Sequence, residues 1–204
     1  MSFKTEQEQF WATEFGNDYI NRNQDFVKSI PFFSEVISRT SNVKSAIEFG
    51  CNIGLNLKAL SILLPESQLT GVEINNNACK LLEEWGGCNV INKSIFDYNE
   101  NKKYDLSIIK CVLIHINPDK LNDVYEKLYD SSNRYILIAE YYNPTPVNIV
   151  YRGHSNKLFK RDFAGEMLDK YRNLILVDYG FIYHRDNYFQ QDDINWFLLE
   201  KKLS

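Results

Sequence analysis

The spacing of hydrophobic residues changes near residue 44. Apolar side chains recur at helical intervals over 10–19 and again over 26–37, which predicts amphipathic helices in this part of the chain. Pro31 lies near the start of the second segment and is expected to open or kink a helix there. Residues 1–40 are therefore predicted to form a helical N-terminal cap.

Beyond residue 44, short apolar runs alternate with longer amphipathic ones. The short runs predict strands over 45–50, 68–74, 88–94, 104–116 and 134–142. The longer runs predict helices over 55–64, 76–85, 118–130 and 162–171. Two final apolar runs, 174–184 and 194–202, are expected to form an antiparallel pair at the sheet edge. This alternation predicts an α/β fold, in which helices cover both faces of a mostly parallel sheet.

The segment 143–161 does not fit either pattern. It contains two prolines and little periodicity, so we predict an irregular loop. Long irregular loops in compact domains are often functional, which makes this segment a candidate binding element.

Composition narrows the classes of partner. A chain of 204 residues with 44% hydrophobic and 25% charged residues is expected to form one soluble domain over 1–204. The net charge of −4 argues against a nucleic-acid partner. No apolar run is long enough to span a membrane, and the start lacks a secretory signal. The four cysteines have no CxxC spacing, which indicates reduced thiols of a cytoplasmic protein rather than a metal site. A small molecule is the favoured partner.

The stretch EFGCNIG, residues 48–54, follows the first predicted strand of the sheet. The dinucleotide fingerprint G-x-G-x-x-G, started at Gly50, would place its other glycines where Asn52 and Leu55 stand. The sequence pattern of the phosphate-binding P-loop is also absent, because no Gly-Lys-Ser/Thr follows. Neither of these two phosphate-binding patterns is therefore present in the loop.

Residues 48–54 resemble the first motif of the class I S-adenosylmethionine-dependent methyltransferases, an acidic residue followed by G-x-G-x-G. Asn52 replaces the middle glycine, and asparagine tolerates the left-handed backbone better than most residues. Glu73 ends the next predicted strand, where family members bind the ribose hydroxyls of the methyl donor, and Ile74 follows where an apolar residue packs on the adenine. The resemblance implies a Rossmann-like class I methyltransferase fold with a seven-stranded sheet.

The same resemblance implies a binding site for S-adenosylmethionine. Arg22 is expected to pair with the methionine carboxylate, for which its planar guanidinium is suited, and Tyr19 to pack against the methyl donor. The full set of implied donor-site residues is Tyr19, Arg22, Gly50, Cys51, Asn52, Gly54, Glu73, Ile74, Ser94, Ile95, Lys110 and Cys111.

A closer resemblance covers nearly the whole chain. The segments 10–23, 48–57, 142–154, 158–171 and 178–201 look like the methylases associated with pseudaminic acid biosynthesis. This resemblance implies a nonulosonic acid, its precursor or a related sugar as the methyl acceptor, methylated at oxygen or nitrogen. Two alternatives stay open: a methyltransferase for another small metabolite carrying an amine or amidino group, and an inactive protein that only binds the methyl donor.

A hydroxyl acceptor needs a general base, and histidine suits that role near neutral pH. We take His154 as the first candidate and His115 as the second, with Asp162 and Asp186 as possible partners for an imidazole. Arg152, Lys157, Lys160 and Arg161 form a cationic cluster in an acidic chain, suited to an anionic acceptor group. The predicted acceptor-binding residues are Tyr141, Asn143, Arg152, Lys160, Arg161, Tyr183 and His184.

Overall fold

The computed structural model describes residues 3–22 and 24–202. Its N-terminal part contains helices α1 (Glu6–Ala12), α2 (Glu14–Ile20) and α3 (Ile30–Ser38). A capping box starts α1, since the Thr5 side chain accepts from the Glu8 N–H and the Glu8 carboxylate accepts from the Thr5 N–H. Pro31 lies in the first turn of α3, where its missing N–H costs nothing. The described residues of this part are therefore helical over most of the segment between Glu6 and Ser38.

In the rest of the chain, strands alternate with helices as the hydrophobic pattern predicted. The strands of the main sheet are β1 (Ser45–Phe49), β2 (Gln68–Glu73), β3 (Asn89–Asn92), β4 (Tyr104–Lys110), β5 (Ser132–Glu140), β8 (Leu174–Ile182) and β9 (Ile194–Lys201). The helices between them are α4 (Leu55–Leu63), α5 (Asn76–Trp85), α6 (Leu121–Ser131) and α7 (Phe163–Lys170). Strands β6 (Val147–Tyr151) and β7 (His154–Lys160) stand apart from this sheet.

The main sheet has seven strands in the order β3-β2-β1-β4-β5-β9-β8. The first five are parallel to one another, while β9 pairs antiparallel with both β5 and β8. The predicted fold class is confirmed, including the antiparallel C-terminal edge. Because the carboxyl ends of β1, β2, β4 and β5 meet at one edge, residues that follow these strands lie close together.

Two hydrophobic cores cover the two faces of the sheet. Helices α6 and α7 pack on one face, where Val124, Leu128 and Met167 are buried. Helices α3, α4 and α5 pack on the other face. The parallel strands are buried on both sides, which explains their near-continuous apolar sequences. No helix in the described part of the chain is long and apolar enough to cross a membrane.

The prediction of an irregular loop over 143–161 is wrong for most of that segment. Strands β6 and β7 form an antiparallel hairpin. Arg152 and Gly153 make its two-residue turn with φ of 49° and 85°, as a type I′ turn requires. Both prolines precede β6 and leave its pairing intact. The apolar residues of β6 are exposed, so the segment lacks the contrast between buried and exposed positions that reveals a strand.

Candidate active site

A cavity of about 700 Å³ opens at the carboxyl edge of the sheet. Its floor comes from residues that follow the parallel strands, including Gly50 after β1 and Lys110 at the end of β4. Trp11 and Tyr19 from the N-terminal helices line it, as does Tyr151 from the hairpin. The sheet edge, the N-terminal helices and the hairpin thus jointly enclose one volume.

The loop after β1 turns sharply through three left-handed residues. Gly50, Asn52 and Gly54 have φ of 72°, 49° and 76°. A Cβ on Gly50 would lie 2.6 Å from Val112 Cγ2, and one on Gly54 would lie 2.3 Å from Leu82 Cδ1. Both glycines are therefore required by packing as well as by backbone conformation. Gly54 does not line the cavity, so its contribution is to seat the loop against α5 rather than to contact a ligand.

The Glu73 carboxylate joins this loop to the end of β2. Its Oε2 accepts from the Asn52 N–H over 2.8 Å, and its Oε1 accepts from the Asn75 N–H over 2.7 Å. Burial raises the pKa of Glu73, and the backbone hydrogen bonds act in the opposite direction. Each carboxylate oxygen keeps a further lone pair, so the group can still accept hydrogen bonds from hydroxyls in the cavity.

Two further carboxylates support the site from beneath without lining it. Glu48 accepts a hydrogen bond of 2.6 Å from Asn56 Nδ2, and burial raises the pKa of Glu48 to about 8. Glu140 Oε1 accepts from the N–H groups of Val112 and Leu113 over 2.9 and 2.8 Å, and burial raises the pKa of Glu140 to about 7. Glu140 thereby fixes the turn after β4. Sequence reasoning missed it, because its position in an apolar strand gave no signal of this role.

The remaining predicted donor-site residues gather in the cavity. Ile74, Ser94 and Ile95 line it, together with Cys51 and Cys111. Burial raises the pKa of the Cys111 thiol to about 12 and also raises that of Cys51, so both thiols are protonated at neutral pH.

The Ser94 hydroxyl donates to the Glu8 carboxylate, and Glu8 also lines the cavity. Sequence analysis did not identify Glu8, because only the tertiary contact between α1 and the loop after β3 reveals its position.

Tyr19 and Arg22 both line the cavity, as predicted for the N-terminal segment. Burial raises the pKa of Tyr19 well above its usual range, so its hydroxyl stays protonated. The Arg22 guanidinium lies over the Phe15 ring at 5.3 Å from its centroid. Among the described residues, no carboxylate forms an ion pair with Arg22. Arg22 is therefore available for an anionic ligand group.

His115 lines the cavity and is buried. Its Nδ1 lies 2.5 Å from the Lys157 carbonyl oxygen; because a carbonyl can only accept, Nδ1 carries the proton and Nε2 does not. Burial lowers the pKa of His115 to about 4. The ring is enclosed by Trp11 and Tyr151, at centroid distances of 4.6 and 5.0 Å. His115 is thus a neutral hydrogen-bond acceptor in the wall.

The structure does not support His154 as the general base. His154 begins β7, is exposed and does not line the cavity. Its ring packs at the edges of Phe10 and Phe15, with centroid distances of 5.1 and 5.9 Å. Because β6 and β7 form a hairpin instead of an irregular loop, His154 is held at the start of β7, outside the cavity.

His184 lies in the wall of the cavity and has an aspartate partner. Its Nδ1 is 2.8 and 2.9 Å from the two carboxylate oxygens of Asp193. The two aspartates that the sequence suggested for this role are used elsewhere: Asp162 caps α7 by accepting from Gly165, and Asp186 accepts from the backbone of Tyr188 and Phe189. Those two partner predictions are wrong.

The predicted cationic cluster is not one cluster. Arg152 lines the main cavity, whereas Lys160 lines a second cavity of about 440 Å³ beside it. Arg161 pairs with Glu166 at 2.6 Å and Lys157 with Glu6 at 3.1 Å, and neither lines either of these two cavities. The cationic charge of this region is therefore partly neutralised by the carboxylates of Glu6 and Glu166, which the sequence did not identify as partners.

Three other predicted acceptor residues differ in position. Tyr141 lines both cavities and donates a hydrogen bond of 2.7 Å to Asp192. Asn143 instead donates to the Thr145 carbonyl, and Tyr183 packs beside the His184 ring; neither lines either cavity. Of these predicted residues, Tyr141, Arg152 and His184 line the main cavity.

Three solved structures resemble the chain along almost its whole length. One is a 1,6-didemethyltoxoflavin-N1-methyltransferase from Burkholderia thailandensis, bound to 1,6-didemethyltoxoflavin and S-adenosylhomocysteine; it has a TM-score of 0.72 and 11% identity, over 97% of this chain and 87% of the other. Another is magnesium protoporphyrin IX methyltransferase from Synechocystis PCC 6803 with bound S-adenosylmethionine. It has a TM-score of 0.68 and 10% identity, over 99% of this chain and 100% of the other. The third is an S-adenosylmethionine-dependent methyltransferase from Clostridium acetobutylicum, with a TM-score of 0.66 and 13% identity over 93% and 98%.

The chain has the class I methyltransferase fold. No family model and no curated protein sequence matches it. Within this class I methyltransferase fold, the loop 50–54 follows the first strand of the sheet and Glu73 ends the neighbouring strand β2. The resemblance seen in the sequence therefore agrees with the structure at the level of the fold.

Proposed function

We propose that the protein is an S-adenosylmethionine-dependent methyltransferase that acts on a small sugar-type acceptor, a nonulosonic acid, its precursor or a related surface-glycan precursor. The observation that carries the methyl-donor part of the proposal is the hydrogen bond between Asn52 and Glu73 at the wall of the cavity. It joins the sharply turned glycine loop to a buried carboxylate, whose remaining lone pairs can accept hydrogen bonds from the hydroxyls of a ribose.

The residues present fit S-adenosylmethionine. Glu73 offers two carboxylate oxygens to the ribose hydroxyls, and Ile74 and Ile95 offer apolar surface for the adenine. Arg22, which has no carboxylate partner among the described residues, would pair with the methionine carboxylate. Because Gly50 and Gly54 have no Cβ atoms, the loop can pack closely against Val112 and Leu82.

When bound, S-adenosylmethionine supplies a methyl group already activated on a sulfonium. The protein therefore has to orient the acceptor and exclude water. Trp11 and Tyr19 close the cavity on one side, and Tyr151 closes it on another. Contacts between α1 and the β6–β7 hairpin hold these two parts of the wall together. The Gln7 amide donates to the Asn156 carbonyl over 3.0 Å, and Glu6 pairs with Lys157.

The acceptor side is polar and aromatic, which supports a polyhydroxylated ligand. Tyr141, Arg152 and His184 face the cavity with a hydroxyl, a guanidinium and an imidazole. Arg152 would bind a carboxylate or phosphate of the acceptor. We also propose a cytoplasmic protein, supported by four cysteines that are all free thiols.

Mass spectrometry of methyl transfer tests this proposal. The purified chain is incubated with S-adenosylmethionine and a panel of nonulosonic acids, their nucleotide-activated forms and their amino-sugar precursors. We expect one class of sugar to gain a single methyl group. Methylation of amines or amidino compounds alone would favour the other small-metabolite methyltransferase, and binding of the methyl donor without any turnover would favour an inactive binding protein.

A further inference from the structure

A histidine–aspartate pair stands where the two cavities meet. His184 lines both cavities, as do Tyr141 and Asp192. Its partner Asp193 lines the second cavity only. A ligand that extends from one cavity into the other would therefore pass the His184 side chain.

The orientation of the His184 ring is fixed from one side. Asp193 accepts from the His184 backbone N–H over 3.0 Å and from Nδ1 over 2.8 Å. These hydrogen bonds hold the pKa of Asp193 below its usual range, so the carboxylate is ionised and can only accept. Nδ1 must then carry the proton, and in the neutral imidazole Nε2 is left with a lone pair for another partner.

His184 can accommodate a positive charge, whereas His115 cannot. A proton added to Nε2 of His184 would create an imidazolium beside the Asp193 carboxylate, in a side chain that is 48% exposed. A proton added to His115 would create a buried cation whose Nδ1 faces only a carbonyl, and burial lowers the pKa of His115 to about 4. Both rings have the same tautomer, but only one has a counter-ion.

We infer that the acceptor atom is a hydroxyl oxygen, and that His184, oriented by Asp193, takes its proton. This inference rests on the proposed function and specifies the reaction as O-methylation. The hydroxyl oxygen forms a bond to the methyl carbon as the bond between that carbon and the sulfonium sulfur breaks. The hydroxyl proton passes to Nε2 of His184, and the sulfonium becomes the neutral thioether of S-adenosylhomocysteine. Asp193 is a positioning residue in this scheme.

Nuclear magnetic resonance of the full chain tests the histidine arrangement without any acceptor. In ¹⁵N-labelled protein, long-range ¹H–¹⁵N spectra distinguish protonated from unprotonated ring nitrogens, and a His184→Asn variant assigns the signals. We expect protonated Nδ1 and unprotonated Nε2 in His184, and loss of that preference in Asp193→Ala. A predominant Nε2–H form in the parent protein would overturn the inference, whether or not S-adenosylhomocysteine binds.

Steady-state kinetics, with the acceptor identified by the mass-spectrometry panel, provide a second test of the role of His184. His184→Asn is expected to lower kcat by about 100-fold or more, as loss of a general base does, while the Kd of S-adenosylhomocysteine changes less than about twofold. His154→Asn is the matched control and is expected to keep full turnover. Undiminished kcat in His184→Asn, or methylation confined to nitrogen acceptors, would overturn the inference. Failure of the parent protein to bind S-adenosylhomocysteine would instead count against the proposed function.

Discussion

The Asn52 N–H, in the loop after β1, and the Glu73 carboxylate, at the end of the adjacent strand β2, are joined by a hydrogen bond of 2.8 Å. A second hydrogen bond, from the Asn75 N–H, holds the other carboxylate oxygen at 2.7 Å. The carboxylate is therefore oriented before any ligand arrives, and little side-chain freedom remains to be lost on binding. This pre-organisation makes Glu73 the most informative position for substitution.

Glu73→Gln is expected to raise the Kd for S-adenosylhomocysteine by about 10- to 100-fold. The amide retains one oxygen and loses the charge that strengthens hydrogen bonds to ribose hydroxyls, a loss of about 1.5–3 kcal/mol. Isothermal titration calorimetry measures the change. Glu66→Gln alters an exposed glutamate in the turn after α4 and serves as the control. Equal affinity in Glu73→Gln and the parent protein would remove Glu73 from the ribose site.

Arg22→Ala is expected to weaken S-adenosylhomocysteine binding but not that of 5′-methylthioadenosine, which lacks the amino-acid group. Arg22 has no carboxylate partner among the described residues, so its pairing would be with the ligand carboxylate. Loss of a charge-assisted bidentate contact corresponds to about a 10- to 100-fold rise in Kd. A similar loss for both ligands would show that Arg22 acts through the general shape of the site.

Gly50→Ala is expected to lower the free energy of unfolding by more than Gly153→Ala does. Both glycines have positive φ, 72° and 85°, and a left-handed alanine costs about 1–2 kcal/mol. Only at Gly50 would the added methyl group meet a neighbour, Val112 Cγ2 at 2.6 Å. Overpacking adds about 1–3 kcal/mol. Urea denaturation of the two variants measures the difference, and equal losses would contradict the packing argument.

The fold, and the gathering of most of the proposed methyl-donor residues at one cavity, were largely predictable from the sequence. Strand and helix periods are local properties, and the carboxyl ends of parallel strands meet at one edge by geometry. Gly50, Glu73 and Lys110 could therefore be placed together without a structure. The contribution of Glu8 could not be, because its contact with Ser94 joins residues far apart in sequence.

The residues proposed to bind the acceptor were less predictable, because their positions depend on contacts that local sequence patterns do not show. His154 lies in a segment whose hairpin pairing depends on a two-residue turn at Arg152 and Gly153, and that pairing decides which residues face the cavity. Asp193 and His184 are separated by a loop, and nothing in their spacing distinguishes Asp193 from Asp186 as a partner. Tertiary contacts, rather than local pattern, decide which of the proposed acceptor residues line the cavity.

Glu48 should make stability depend on pH. Burial raises its pKa from 4.5 to about 8, so the folded state binds a proton that the unfolded state has already released. The free energy of unfolding is therefore expected to fall as pH rises from about 5 to about 8. Glu48→Gln should make this slope less steep, since the neutral amide can still accept from Asn56. Urea denaturation across this pH range, with Glu66→Gln as the exposed control, tests it; an unchanged slope in Glu48→Gln would contradict the assignment.

Calorimetric titration of the full chain with S-adenosylhomocysteine tests the central claim most directly. We expect saturable binding with one ligand per chain, weakened in Glu73→Gln and unchanged in Glu66→Gln. Absence of a binding isotherm for both S-adenosylhomocysteine and S-adenosylmethionine, from a chain shown to be folded by circular dichroism, would contradict the account.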